Sequence, residues 1–194
     1  MALAAKAAFI PYTAYLAAED LSAEKHEYCH GVVVAMAGGT MLHAHLIANL
    51  HGRLFGQLVG KRCRVFNEAL RIRIPATDLS TYPDLSVICG PLEHDDVDKD
   101  AATNPTVLFE VLSPSTAAYD RGEKFDHYTH LPSLKAYVLV DCNRENVVLY
   151  TPGEDETWVR RVHEAGDTVR ISVIEVELPV GEIYAGWEEF RSVG

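Results

Sequence analysis

The sequence contains no long hydrophobic run. No stretch of its 194 residues approaches the roughly 18 uncharged apolar residues that a membrane span needs, so no membrane-spanning role is expected. It has no G-x-x-x-x-G-K-S/T loop and no G-x-G-x-x-G after a strand, so the glycine-rich phosphate cradles of nucleotide-binding folds are missing. Cysteine is sparse. Cys29, Cys63, Cys89 and Cys142 form no C-x-x-C pair. Each stands in or beside an apolar, strand-like run, where a free thiol behaves as a small hydrophobe. The Ala-rich N-terminus is interrupted by Lys6, Pro11 and Glu19 and has no basic region ahead of an apolar core, so it does not read as a signal peptide. Reduced, structural cysteines in a cytoplasmic protein are therefore expected. Positive charge is also scarce, with 17 Lys+Arg against 28 Asp+Glu and a net charge of -11. That balance argues against non-specific coating of nucleic acid or of an anionic membrane. Hydrophobic residues make up 48% of the chain and charged residues 23%, which excludes a mainly disordered chain. With no internal repeat and no low-complexity linker, residues 1–194 read as a single domain.

The clearest element is a helix over Met41 to Val59. Leu42, Leu46, Leu50, Leu54 and Leu58 recur every four residues and form one apolar stripe. A short helix is expected over 13–24, and a strand pair over Tyr28 to Ala37 with Gly31 at its turn. Strands are expected over Arg64 to Ile74, Asp84 to Cys89, Thr106 to Leu112, Ala136 to Asp141 and Val147 to Thr151, with shorter ones at 157–163, 168–172 and 174–178. A helix near Asp120 to His130 is expected to start from a capping box made by Asp120 and Glu123. This order implies an α/β or α+β protein with a mixed sheet.

Two carboxylates interrupt apolar strands. Asp84 opens PDLSVIC and Glu110 stands inside VLFEVLS. Ionised carboxylates are costly to bury unless they are paired or bound to a cation. Strand alternation puts Asp84 on the face of Ser86 and Ile88, and Glu110 on the face of Leu108 and Leu112. If the strands are neighbours, both carboxylates converge on one point, as a hard dication such as Mg²⁺ requires. Lys124 follows on the next helix and shares a face with Asp120 and Tyr128. Two carboxylates, a divalent ion and a lysine make up a phosphodiester hydrolysis site. Each residue alone has an ordinary reading: Asp84 as a strand start, Glu110 in a buried ion pair, Lys124 as a solvated helix residue. Their order along the chain is more telling than any one of them.

The segments EYCHGVVVAMAG, YPDLSVIC, FEVLSPSTAAYDRGEKFDHY and LKAYVLVD resemble the Uma-two family, bacterial endonucleases of the PD-(D/E)XK superfamily. The most specific segment is EVLSPST-x3-DRGEK. The resemblance covers about residues 12–186. It implies a restriction-endonuclease-like fold, a central mixed β-sheet flanked by α-helices. It also implies a Mg²⁺- or Mn²⁺-dependent DNA endonuclease that leaves a 5′-phosphate, and because cleaving a duplex needs two sites, a homodimer is expected. Pro83-Asp84 matches the PD element and Glu110 the acidic position, with the Val111 carbonyl as a third metal donor. Position 112 is Leu, so the expected lysine is displaced to Lys124. Glu27 and His43 match an early acidic residue and a histidine at the start of the long helix. Glu68 is a further acidic candidate. A fold does not establish an activity, and the alternative is a non-catalytic nucleic-acid- or protein-binding module on the same fold.

His43, His45 and His51 lack a fourth partner at zinc spacing. Ser113, Ser115 and Thr116 have no nucleophile elbow around them and read as a turn. The only basic concentration is Lys61 to Arg73, with five positive residues and one negative. Its strand face, Arg71 and Arg73, is the expected DNA-phosphate contact, with a solvated strand face as the ordinary reading. The acidic stretches EHDDVDKD and 154–194 are expected to turn away from it.

Overall fold

The computed structural model describes residues 8–36, 38–155 and 157–191. Ala37 and residues 1–7, where parts of the strand-pair and N-terminal readings fall, lie outside them. The chain opens with α1 (Tyr12–Glu19), then a hairpin of β1 (His26–Cys29) and β2 (Val32–Ala35). Its two-residue turn puts His30 at φ 47° and Gly31 at φ 81°. Both are left-handed, as a tight hairpin turn requires. Helix α2 (Met41–Leu58) follows. Thr40 caps it by accepting from the His43 N–H, and Leu46, Leu50, Leu54 and Leu58 are buried.

Next come β3 (Cys63–Asn67), β4 (Arg71–Ile74), β5 (Leu79–Thr81), β6 (Leu85–Cys89), β7 (Ala101–Ala102) and β8 (Val107–Leu112). Two short helices, α3 (Ala117–Arg121) and α4 (Glu123–Tyr128), precede β9 (Ala136–Asp141), β10 (Asn146–Pro152) and β11 (Trp158–Glu164). The chain closes with β12 (Thr168–Ile171), β13 (Val176–Pro179), α5 (Val180–Ile183) and α6 (Glu188–Arg191).

The central sheet runs β11-β10-β9-β8-β6-β3, and a second sheet runs β2-β1-β5-β4-β7. Strands β8 and β9 pair in parallel, while β6 pairs antiparallel with β8. Both β8 and β9 are buried along their whole length, which explains their continuous apolar sequence. One face of the central sheet, with Val107, Phe109 and Val111, packs under α2 and the β12–β13 hairpin. The other face, with Leu108, Leu112 and Leu139, packs against Ile72, Ile74 and Leu79 of the second sheet and Tyr128 of α4. Among the described residues no helix is long and apolar enough to cross a membrane.

Several expectations are corrected. The run Arg64 to Ile74 is not one strand. The chain turns at Asn67–Leu70, where the Leu70 N–H donates to the Asn67 carbonyl, and β3 and β4 enter different sheets. The capping box is absent. The helix starts at Ala117, and Asp120 is buried inside it rather than at its end. The cysteines are not all reduced. Cys63 stands opposite Cys89 across β3 and β6, and the two form a disulfide, while Cys29 and Cys142 are free.

The basic face is corrected as well. Arg71 and Arg73 are only 6% and 7% exposed. The acidic loop does not turn away from them: its Asp98 takes Arg71 in a bidentate pair at 2.6 and 3.0 Å. Arg73 pairs with Asp78 at 2.5 Å and stacks 3.9 Å from the Tyr12 ring centre. Arg71 commits its fork to the buried Asp98, and Arg73, whose Nε and Nη1 are buried with no hydrogen-bond partner among the described residues, is too enclosed to meet a phosphate. These two arginines join the second sheet to its loops and do not present a nucleic-acid surface. Arg62 and Arg64 of the same segment remain exposed.

Candidate active site

The register of β6 against β8 sets Leu85 opposite Phe109. Asp84 and Glu110 therefore share the face of the central sheet that looks toward α4, at the end of the two strands. The Val111 N–H donates to Asp84 Oδ2 at 2.6 Å, and the Asp84 N–H lies 3.4 Å from Glu110 Oε2. The two carboxylates are interlocked through the backbone of the strand that carries the other.

Glu110 divides its oxygens. Oε1 accepts from Lys124 Nζ and from the Tyr128 hydroxyl, both at 2.8 Å, which fills its two lone-pair directions. Oε2 is left on the Asp84 side. Lys124 is buried on α4, with Nζ also 3.2 Å from Glu27 Oε1 and 3.7 Å from Asp120 Oδ1. Glu27 comes from β1 and accepts from the Thr81 hydroxyl of β5. Asp120, Lys124 and Tyr128 meet on one helical side, as their four-residue spacing requires.

Three carboxylates thus surround one ammonium, with Asp84 beside Glu110. Burial works against the charge on Lys124, but Glu110, Glu27 and Asp120 outweigh it and hold its pKa well above the usual lysine value. Glu110 is pushed upward by burial and by the negative charges of Asp84 and Asp120, against the pull of Lys124. Burial likewise pushes Asp120 up against Lys124. The cluster is short of positive charge, which a bound cation or a retained proton supplies.

His43 stands at the start of α2, with Nε2 3.3 Å from Asp84 Oδ2. Burial lowers its pKa, but the hydrogen bond and charge of Asp84, a backbone hydrogen bond to Val111 and the charge of Glu110 outweigh this, and the net shift is upward. Gly39 lies against the ring: a Cβ there would come 2.6 Å from Nδ1. Asp84 and His43 reach an open cleft of about 880 Å³, whose walls include Ile47 and Ala48 of α2. Lys25 and Glu68 pair on that cleft at 3.8 Å, so Glu68 stands apart from the Lys124 cluster. His45 turns away to the Ala185 carbonyl at 2.7 Å. Ser113, Ser115 and Thr116 bond to one another in the turn before α3.

The structure thus brings together Glu27, His43, Asp84, Glu110, Val111 and Lys124. Sequence reasoning gave no site role to Asp120, Tyr128 or Thr81. The spacing of Asp120 and Tyr128 from Lys124 was the available signal, while Thr81 lies on a strand that the pattern did not reveal. Among the described residues no group of three or more His, Cys, Asp or Glu side chains is arranged to hold a metal ion. A metal here would rest on Asp84, Glu110 Oε2 and a backbone carbonyl. These are all hard oxygen donors, the set Mg²⁺ accepts with water and phosphate completing its shell.

Residues 12–181 match the family model Uma2, described as "Putative restriction endonuclease". The chain belongs to the Uma2 family. Two relatives from Synechocystis sp. are both named as uncharacterized proteins. One is 38% identical over 172 residues, covering 89% of this chain and 90% of the relative. The other is 32% identical over 145 residues, covering 75% and 82%. The fold of this Uma2 chain is that of a crystal structure described as "a putative nuclease belonging to DUF820" from Anabaena variabilis, with a TM-score of 0.70. That match has 19% identity and covers 86% of this chain and 92% of the other. It is a mixed α/β, nuclease-like fold, as the sequence resemblance implied.

Proposed function

We propose that the protein is a Mg²⁺- or Mn²⁺-dependent DNA endonuclease that hydrolyses phosphodiester bonds at Asp84, Glu110 and Lys124. The observation that carries this reading is the division of Glu110. One oxygen is committed to Lys124 and Tyr128, and the other faces Asp84. Asp84, Glu110 Oε2 and the Val111 carbonyl would hold the ion. A divalent cation there lowers the pKa of bound water and offsets charge on the phosphate.

The chain's own residues supply the rest. Lys124 remains an ammonium and donates from Nζ to the attacking water or to a phosphate oxygen. Glu27, pinned by Thr81 and Lys124, orients that ammonium. His43 donates from Nε2 to Asp84 Oδ2 and holds that carboxylate from the cleft side. Scission by this route leaves a 5′-phosphate, and cutting both strands of a duplex calls for a homodimer. The enzyme would work in the cytoplasm.

Cleavage of plasmid and oligonucleotide DNA with Mg²⁺ or Mn²⁺ tests this. Wild type should cleave, and Asp84→Ala should not. No cleavage by wild type, or equal cleavage by both, counts against an endonuclease. Calorimetric Mn²⁺ titration of wild type and Glu110→Gln separates it from a binding module, which shows no Glu110-dependent metal binding.

A further inference from the structure

A second pocket, of about 670 Å³, lies between the central sheet and the β12–β13 hairpin. Its floor is Ala136 and Leu149, on the sheet face that packs under α2, the face opposite Glu110. It also sits at the other end of β9, since Ala136 pairs with Val107 and Leu139 with Glu110. The pocket is therefore separate from the Asp84–Glu110 site.

Its chemistry is unlike that of the chain as a whole. Lys135, Arg161, His163 and Arg170 line it together with the hydroxyl residues Thr151 and Ser172. No Asp or Glu stands among the described residues lining it, in a chain with 28 acidic and 17 basic residues. The β10–β11 register pairs Leu149 with Arg161 and Val147 with His163, so both basic side chains project on the floor's side of the sheet. His163 Nε2 is buried with no hydrogen-bond partner among the described residues. A buried ring nitrogen without a partner is rare enough to need an explanation.

The cations keep donors free. Arg161 Nη1 gives one hydrogen bond to Thr151 Oγ1 at 3.0 Å. Lys135 Nζ gives one to the Pro132 carbonyl at 3.0 Å. Arg170 Nε pairs with Glu177 at 2.9 Å, but both side chains are exposed, 73% and 63%, and such pairs are weak in water. Arginine has five N–H donors and lysine three, and a guanidinium fork matches the oxygens of a phosphate.

We propose that this pocket binds a phosphate group, gripped by Arg161, Arg170 and Lys135, with His163 Nε2 donating to one of its oxygens. The phosphate is that of a free or small phosphorylated anion, or of a nucleic-acid backbone. The site does not depend on the nuclease reading.

Inorganic phosphate at constant ionic strength, balanced with chloride, is the first probe, followed by calorimetry and thermal melting on the full chain. The second is an oligothymidylate without terminal phosphates. Wild type and Asp84→Ala should bind phosphate equally, and Arg161→Gln should bind it at least about tenfold more weakly. Arg161 is exposed, so its variant should melt with wild type in phosphate-free buffer, and His163→Ala gives a second reading of the same site. If the oligonucleotide also loses affinity on Arg161→Gln, the phosphate is that of a nucleic-acid backbone. If only inorganic phosphate does, it is that of a small anion. No stabilisation by phosphate beyond chloride, or equal phosphate affinity in wild type, Arg161→Gln and His163→Ala, overturns the proposal.

Discussion

Lys124 on α4 holds Glu110 of β8 across 2.8 Å, although 14 residues separate them in sequence. The same ammonium faces Glu27 and Asp120, so it is the positive centre of a buried acidic cluster. Replacing it with Met removes the counter-charge from three carboxylates. Lys124→Met should abolish cleavage and lower stability by about 3–5 kcal/mol, the usual cost of leaving a buried charge unpaired. Urea unfolding alongside a plasmid-cleavage assay checks both effects, and an active variant with unchanged stability would count against the cluster.

Tyr128 donates to the same Glu110 oxygen from a fully buried position. Tyr128→Phe keeps the ring and deletes the donor. The loss of a hydrogen bond to a charged group should cost about 1.5–3 kcal/mol, and the freed Oε1 should let Glu110 rotate. Mn²⁺ affinity measured by calorimetry should therefore fall together with the melting temperature. A melting change with unaltered Mn²⁺ affinity would leave Tyr128 a packing residue only.

His43 gives a pH signature in metal-free buffer. Its folded pKa is raised, despite burial, by Asp84, Val111 and Glu110. The protonated ring is therefore favoured in the fold. Its stabilisation is full below the unfolded histidine pKa, about 6.5, and is lost as pH rises through the higher folded value. His43→Gln should remove that decline from a plot of unfolding free energy against pH. An unchanged slope in the variant would rule out His43 as its source.

Arg71→Ala should act on folding and not on nucleic-acid contact. It strands Asp98, which is 4% exposed, and should cost about 3–5 kcal/mol. The salt dependence of DNA binding should stay that of wild type, because Arg71 is buried with its guanidinium held by Asp98 and Tyr82. A flatter salt slope with normal stability, read by fluorescence anisotropy, would restore it as a DNA contact.

The disulfide predicts a thiol count. Denatured, unreduced protein should titrate Cys29 and Cys142 only. Closing the loop between Cys63 and Cys89 should stabilise the fold by roughly 2–4 kcal/mol, so reduction should lower the melting temperature. Four titratable thiols would show that the pair is open.

Regular patterns carried much of the fold into the sequence. The four-residue leucine spacing marked α2, because a helix buries one stripe. The unbroken apolar runs marked β8 and β9, because a central strand is covered on both faces. The charges misplaced at the start of β6 and inside β8, Asp84 and Glu110, marked the candidate site, because a carboxylate does not enter an apolar strand without a partner. Partner choice was not written locally. Arg71 and Arg73 alternate with apolar residues as a solvated face would, and only the second sheet, folding back on the first, buried them against Asp98 and Asp78. Asp120 carried the local signature of a helix cap, and only the packing of α3 and α4 on β8 turned it toward Lys124. Cys63 and Cys89 are 26 residues apart and became neighbours through the β3–β6 register. Periodicity depends on near neighbours, so the chain alone determined α2, β8, β9 and the positions of Asp84 and Glu110. Ion pairing, burial and disulfide formation depend on distance in space, which only the tertiary structure decided.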